Sequence, residues 1–188
     1  MEVPVPNGPE KVTYKGKVIE VIERPMKIGA KEVTFELARR APGTRLIIET
    51  PDENILLTKE FRSELKTYDY RLPGGKVFDS LEEYNKFLNG SGDILAQARL
   101  AALKEAHEEV GVDTKNAEFF AISKCGATVE WDLYYFVIKE FSQHSQDLEE
   151  GEDITIVPTS REEVRIMCLD GRIQEDRSAA ILLRYLNK

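Results

Sequence analysis

Cysteine is scarce in this chain of 188 residues: Cys125 and Cys168 cannot build a disulfide framework, and no Cys-x-x-Cys arrangement exists. The two histidines, His107 and His144, lie too far apart in sequence to suggest a histidine metal site. No apolar run approaches the ~18 residues of a transmembrane helix. The opening Met1-Glu2-Val3-Pro4-Val5-Pro6 lacks the basic and apolar regions of a signal peptide, so a cytoplasmic protein without membrane partners is expected. Basic excess is also missing. A net charge of −8 argues against a nucleic-acid partner, which depends on cationic side chains to neutralise phosphates. Walker loops, nucleophile elbows, repeats and low-complexity tracts are absent. With 41% hydrophobic and 32% charged residues, the composition suits a folded protein with one sizeable core and an appendage.

What is present is concentrated between Leu72 and Val112. The stretch opens with Leu72-Pro73-Gly74-Gly75 and closes with Lys104-Glu105-Ala106-His107-Glu108-Glu109-Val110-Gly111-Val112. A helix capped by Asp93 and ending at Gly111 puts Glu105, Glu108 and Glu109 at i, i+3 and i+4, on one face. Leu95, Leu103, Ala106 and Val110 fall on another face that can be buried. Three crowded carboxylates call for a cation, and a hard divalent ion such as Mg²⁺ takes oxygen ligands and leaves room for substrate phosphate. The two glycines let backbone pass close to whatever lies above the helix.

The combination resembles the Nudix hydrolase signature, Gly-x5-Glu-x7-Arg-Glu-U-x-Glu-Glu-x-Gly-U, with U apolar. Glu105, Glu108, Glu109, Gly111, Ala106 and Val112 occupy their expected places, while Lys104 stands where the family has arginine. Lysine keeps the charge but loses the planar fork that would orient a glutamate. The first half departs further. Counting back from Lys104, the first glutamate of the signature falls on Ala96 and its glycine on Gly90, whereas the natural partner of the motif is Gly75. The difference, 90 minus 75, implies an insertion of about 15 residues. Within it, residues 79–90 read as an extra helix, with Asp79 or Ser80 as cap and Leu81, Tyr84, Phe87 and Leu88 at helical spacing. Gln97, Asp93 or an acid of the insertion would have to replace the missing glutamate.

In chain order, residues 1–10 read as a loose arm. Strand-like runs follow at Val12–Tyr14, Lys17–Glu23 and Glu32–Leu37, interrupted by Gly16, Pro25 and Gly29. Leu46–Ile48 and Ile55–Leu57 flank Pro51-Asp52-Glu53-Asn54, a hairpin pattern. Residues 117–124 and 133–141 read as buried strands, residues 143–152 as a polar, mobile loop. Ser160-Arg161-Glu162-Glu163 opens a helix that stops near Gly171, and a final helix spans residues 179–186.

Several of these stretches are similar to the ADP-ribose pyrophosphatase and GDP-mannose pyrophosphatase branch. They are the N-terminal strands, Glu60-Phe61-Arg62, the loop Cys125–Glu130, Glu152-Asp153-Ile154 and the C-terminal end. The resemblance implies an α+β fold, a Nudix-type α/β/α sandwich with a mixed sheet and a small N-terminal β region. It divides the chain into a possible dimerisation element at 1–43 and a catalytic domain at 44–188, with the insertion near 79–90. It also implies Mg²⁺, or Mn²⁺ in its place, held by Glu105, Glu108 and Glu109. Glu152 is the candidate base that activates water, with Glu150 second. Substrate contacts are expected from Arg62, Arg71, Gly74, Gly75 and Glu130, and less securely from Arg39, Arg40 and Arg45; Trp131 is assigned to core packing. The expected activity is hydrolysis of a nucleoside diphosphate linked to another moiety, ADP-ribose or a nucleotide sugar, by a homodimer. Competing expectations are a non-catalytic nucleotide-binding or regulatory protein, motivated by Ala96 and Lys104, and an enzyme acting on nucleoside triphosphates or dinucleoside polyphosphates.

Overall fold

A computed structural model describes residues 2–188; Met1, part of the expected arm, lies outside the described residues. In chain order the elements are β1 (Val5–Pro6), β2 (Lys11–Lys15), β3 (Ile19–Ile28), β4 (Lys31–Arg40), β5 (Gly43–Ile48), β6 (Asn54–Arg62), β7 (Thr67–Arg71), α1 (Leu81–Leu88) and α2 (Ile94–Glu105). A π-helical turn, Ala106–Val110, extends α2. There follow β8 (Val112–Asp113), β9 (Glu118–Ser123), β10 (Val129–Glu130), β11 (Leu133–Ile138), β12 (Ser142–Gln143), β13 (Ile154–Ser160), α3 (Arg161–Leu169) and α4 (Asp176–Leu186). None of these helices is long and apolar enough to cross a membrane.

The chain divides into two compact units. The first comprises residues 1–42, 78–92 and 124–132, and the second residues 43–77, 93–123 and 133–188. The first unit thus takes in the inserted helix and the β10 loop as well as the N-terminal strands. Its sheet centres on β3, which pairs antiparallel with β1, β2 and β4, while β10 joins β4 in parallel. Pro25 does not interrupt β3: it faces Thr34 in the ladder, and its carbonyl accepts the Asn7 N–H at 2.9 Å, so only its missing donor is unused. That contact, with β1, also ties down part of the arm expected to be loose. Ser80 caps α1, accepting the Glu83 N–H at 3.2 Å. The buried carboxylate of Glu20 accepts from Asn85 of α1 at 3.0 Å and lies 3.6 Å from Arg39.

In the second unit β11 is buried along its whole length, parallel to β5 on one side and antiparallel to β9 on the other. Side chains alternate across this mixed sheet. Leu46, Ile48, Tyr134, Phe136 and Ile138 form one core with Ala98 and Ala102 of α2 and with Ala106 and Val110 of the π turn. Tyr135 points the other way and meets Ser178 of α4 at 3.4 Å, so helices cover both faces.

The hairpin expected at Pro51–Asn54 does not form a ladder. The turn exists, but β5 and β6 share only the bridge Glu49–Ile55 before diverging. Both edges of β6 are already taken, by β13 and β7. The open edge of β5 receives instead the glycine segment: the Thr44 N–H donates to the Gly75 carbonyl and the Leu46 N–H to the Pro73 carbonyl, each at 2.9 Å.

Candidate active site

The site is built where that glycine segment lies over the end of the α2 helix. Asp93 caps α2 through the Leu95 N–H at 2.9 Å, and its small alanines let it sit close on the sheet. At Ala106 the winding loosens. The Gly111 N–H reaches back to Ala106, the wider i to i−5 spacing of a π turn, as well as to His107, and Gly111 closes the helix in the left-handed region at φ 69°. Glu108 and Glu109 therefore sit one loosened turn beyond Glu105.

Gly74 and Gly75 are required by contact. A Cβ on Gly74 would lie 2.3 Å from the Thr44 carbonyl oxygen, and its φ of 138° is one that side chains rarely adopt. A Cβ on Gly75 would lie 2.0 Å from Glu105 Oε1. The Gly74 N–H donates to Glu109 Oε2 at 2.7 Å, fixing that carboxylate. Beneath the turn, Arg45 donates to the carbonyls of Thr44 (2.9 Å) and Gly74 (3.2 Å). Its other nitrogens fork onto both oxygens of Glu175, at 3.1 and 3.2 Å. Burial opposes the charge on both partners, but their attraction outweighs it, holding Arg45 above its ordinary range and Glu175 below.

Burial pushes Glu105 up to about 7, with Lys104 and Arg45 acting against the rise and Glu108 and Glu152 adding to it. Glu109 is likewise pushed up to about 7 by burial, against the lowering effect of the Gly74 N–H, with Glu105 and Glu152 again repelling it. Glu108 is more exposed and pairs with Lys104 at 3.0 Å, so the lysine does hold a glutamate, through a single ammonium contact. An all-oxygen donor set with two under-neutralised carboxylates fits a hard divalent cation such as Mg²⁺ or Mn²⁺.

The polar stretch after β12 is laced to this turn. The Asp147 N–H donates to the Glu108 carbonyl (2.9 Å), Gln146 to that of Glu109 (2.5 Å), and the His144 N–H to that of Gly111 (2.8 Å). Glu152 follows in an exposed turn, its carboxylate accepting the Glu149 N–H at 3.0 Å.

No family model matches the chain, and no curated protein matches it in sequence. Among solved structures it is similar to a crystal structure of an ADP compounds hydrolase, with a TM-score of 0.69 over 96% of this chain and 90% of that one, at 16% identity. The fold is the Nudix type. In this Nudix-type framework Glu105, Glu108, Glu109, Gly74 and Gly75 come together, with Glu152 near enough to act on two of them electrostatically.

Arg71 sits at the end of β7 that enters the glycine segment. The fully buried Asp69 holds it at 2.5 Å. Arg62 lies four ladder positions away, about 13 Å along β6, and pairs with Glu60 at 2.6 Å. Glu130 belongs to the first unit, where it bridges Arg24 (2.6 Å) and Arg39 (2.7 Å). Trp131, in the same unit, is half-buried with the Arg40 guanidinium 4.3 Å from its ring centre. Sequence reasoning gave no weight to Glu175 or Asp69 and little to Arg45. Their importance lies in pairings with residues distant along the chain, and no local pattern announces those.

Proposed function

We propose that this chain is a Mg²⁺-dependent hydrolase of a nucleoside diphosphate linked to another moiety, ADP-ribose or a nucleotide sugar, yielding a nucleoside monophosphate and a sugar phosphate. The observation that carries the reading is the pair Glu105 and Glu109, partly buried against a glycine turn whose missing side chains leave backbone and carboxylates in direct contact. Glu105, Glu108 and Glu109 would hold the cation, which when bound neutralises the diphosphate and acidifies water. The Gly74 N–H aims Glu109, Lys104 steadies Glu108, and Arg71 offers a guanidinium to phosphate. Glu152 takes the proton from a water whose oxygen bonds to one phosphorus as the bridging P–O bond breaks. Exposed Val5, Val12, Tyr14 and Phe35 on the N-terminal sheet support a homodimer, and the proposed setting is the cytoplasm.

A second reading, nucleotide binding without turnover, draws on Ala96, which leaves the signature one carboxylate short. One assay separates them: release of nucleoside monophosphate from ADP-ribose and GDP-mannose with and without Mg²⁺, for wild type and Glu109→Gln. The enzyme reading expects a loss exceeding the roughly 10–100-fold typical of removing a group that only supports a ligand. Saturable binding with no turnover on any diphosphate supports the second.

A further inference from the structure

The two histidines, distant along the chain, meet at one carboxylate. Gly111 turns the chain out of the helix, β8 carries it to Asp113, and β12 pairs back antiparallel with Ser142 opposite Asp113. His107 Nδ1 then lies 2.8 Å from Asp113 Oδ1, and His144 Nε2 lies 3.7 Å from the same oxygen. The imidazole rings are 4.3 Å apart between centres. All three donor atoms fall within 4.8 Å of one another.

We infer that His107, Asp113 and His144 form a second cation site, for a borderline transition-metal ion of the Zn²⁺ type. Donor atoms ~2.0–2.1 Å from a tetrahedral ion are about 3.3 Å apart; the separations of the two imidazoles from Asp113 lie on either side of that value, and the whole set spans no more than 4.8 Å. His144 presents the right nitrogen. Its Nδ1 lies 2.5 Å from the Ser145 carbonyl, which can only accept, so Nδ1 is the donor and Nε2, on the side of Asp113, is the nitrogen left to ligate. Ligating histidines are fixed in this way by a carbonyl on the other nitrogen. His107 must move its proton from Nδ1 to Nε2 or release it. All three side chains are partly exposed, leaving the fourth position to water.

Two imidazoles and one carboxylate select differently from the nearby glutamates. Imidazole favours Zn²⁺ and its neighbours in the transition series, whereas Mg²⁺ stays with oxygen. A bound ion would clamp the end of the glutamate helix, β8 and the start of the polar stretch to one point. That stretch is the one whose Gln146 and Asp147 hold the backbone of Glu109 and Glu108.

The test titrates Zn²⁺ alone into the full chain under saturating Mg²⁺, followed by calorimetry and by NMR of the imidazole rings. With two histidines in the chain, each ring is read separately. One equivalent of Zn²⁺ is expected to shift both rings together. His144→Gln and Asp113→Asn should each weaken binding at least tenfold, and Glu109→Gln should leave the ring response intact. A response from one ring only, equal affinity in His144→Gln, or loss of the response in Glu109→Gln overturns the site. Should the variants not fold, Co²⁺ added to wild type must give tetrahedral absorption bands; their absence overturns it as well. A catalytically dead chain whose rings both respond leaves this site standing.

Discussion

Removing one partly buried charge from the site should make the metal-free protein more stable. Glu109 is raised from 4.5 to about 7 because folding strips water from its carboxylate. A group whose folded pKa exceeds its unfolded one contributes stability in full below the unfolded value, and that contribution is lost as pH rises through the folded value. At ~1.4 kcal/mol per pKa unit the whole effect is about 3 kcal/mol, of which about 2 kcal/mol is lost between pH 5.5 and 7.5. Glu105 moves in the same direction over the same window, and each carboxylate repels the other, so the pair titrates as a unit. Glutamine at 109 keeps an oxygen for the Gly74 N–H and abolishes the charge. The expected result in EDTA is that wild type loses stability from pH 5.5 to 7.5, and that Glu109→Gln is less pH-dependent and more stable than wild type at pH 7.5. Urea denaturation at both pH values reads this directly, and saturating Mg²⁺ should reverse the ranking at pH 7.5 by stabilising wild type alone. Identical pH slopes for wild type and variant in EDTA would refute the burial-driven shift.

Gly75→Ala should displace Glu105, because the new Cβ would begin 2.0 Å from its Oε1; turnover should fall at least tenfold and the Mg²⁺ needed for half-maximal rate should rise. Arg45→Met strands Glu175, and a cost of roughly 3–5 kcal/mol is expected. Adding Glu175→Leu should recover much of it in a double-mutant cycle read by urea denaturation. Ser160→Ala removes the cap of α3, where the hydroxyl accepts the Glu163 N–H, and should lower stability by ~1 kcal/mol while leaving turnover unchanged.

The helices were the most legible part of this fold because their signals are local. Asp93, Ser80 and Ser160 each announce a helix start through a side chain that reaches two or three residues ahead, and Gly111 announces a stop through its backbone freedom. The glutamate cluster was legible for the same reason. The π turn was not, since alanine, histidine and glutamate fit either winding, and the polar stretch that bonds to its carbonyls lies more than thirty residues further along the chain. The fate of β5 was also hidden. Its turn to β6 is written in Pro51–Asn54, but the choice of β11 and the glycine segment as its neighbours depends on strands elsewhere. Arg45 with Glu175, and His107 with His144, are invisible for a plainer reason. Each pairing joins residues whose separation along the chain leaves no periodicity to detect.

The position of β11 has a consequence for the order in which the molecule can assemble. Gly43 faces Leu133 and Ile48 faces Ile138, so the parallel pairing closes a loop of about 90 residues. Until residues 133–138 are available, Leu46 and Ile48 have no partner strand and the alanine face of α2 lacks half its platform. A helix encoded by one contiguous stretch, Ile94–Val110, is thus seated by a pairing that spans about 90 residues. Folding should be slow for a protein of this size, and a nascent chain halted before Ile138 should expose that face to chaperones.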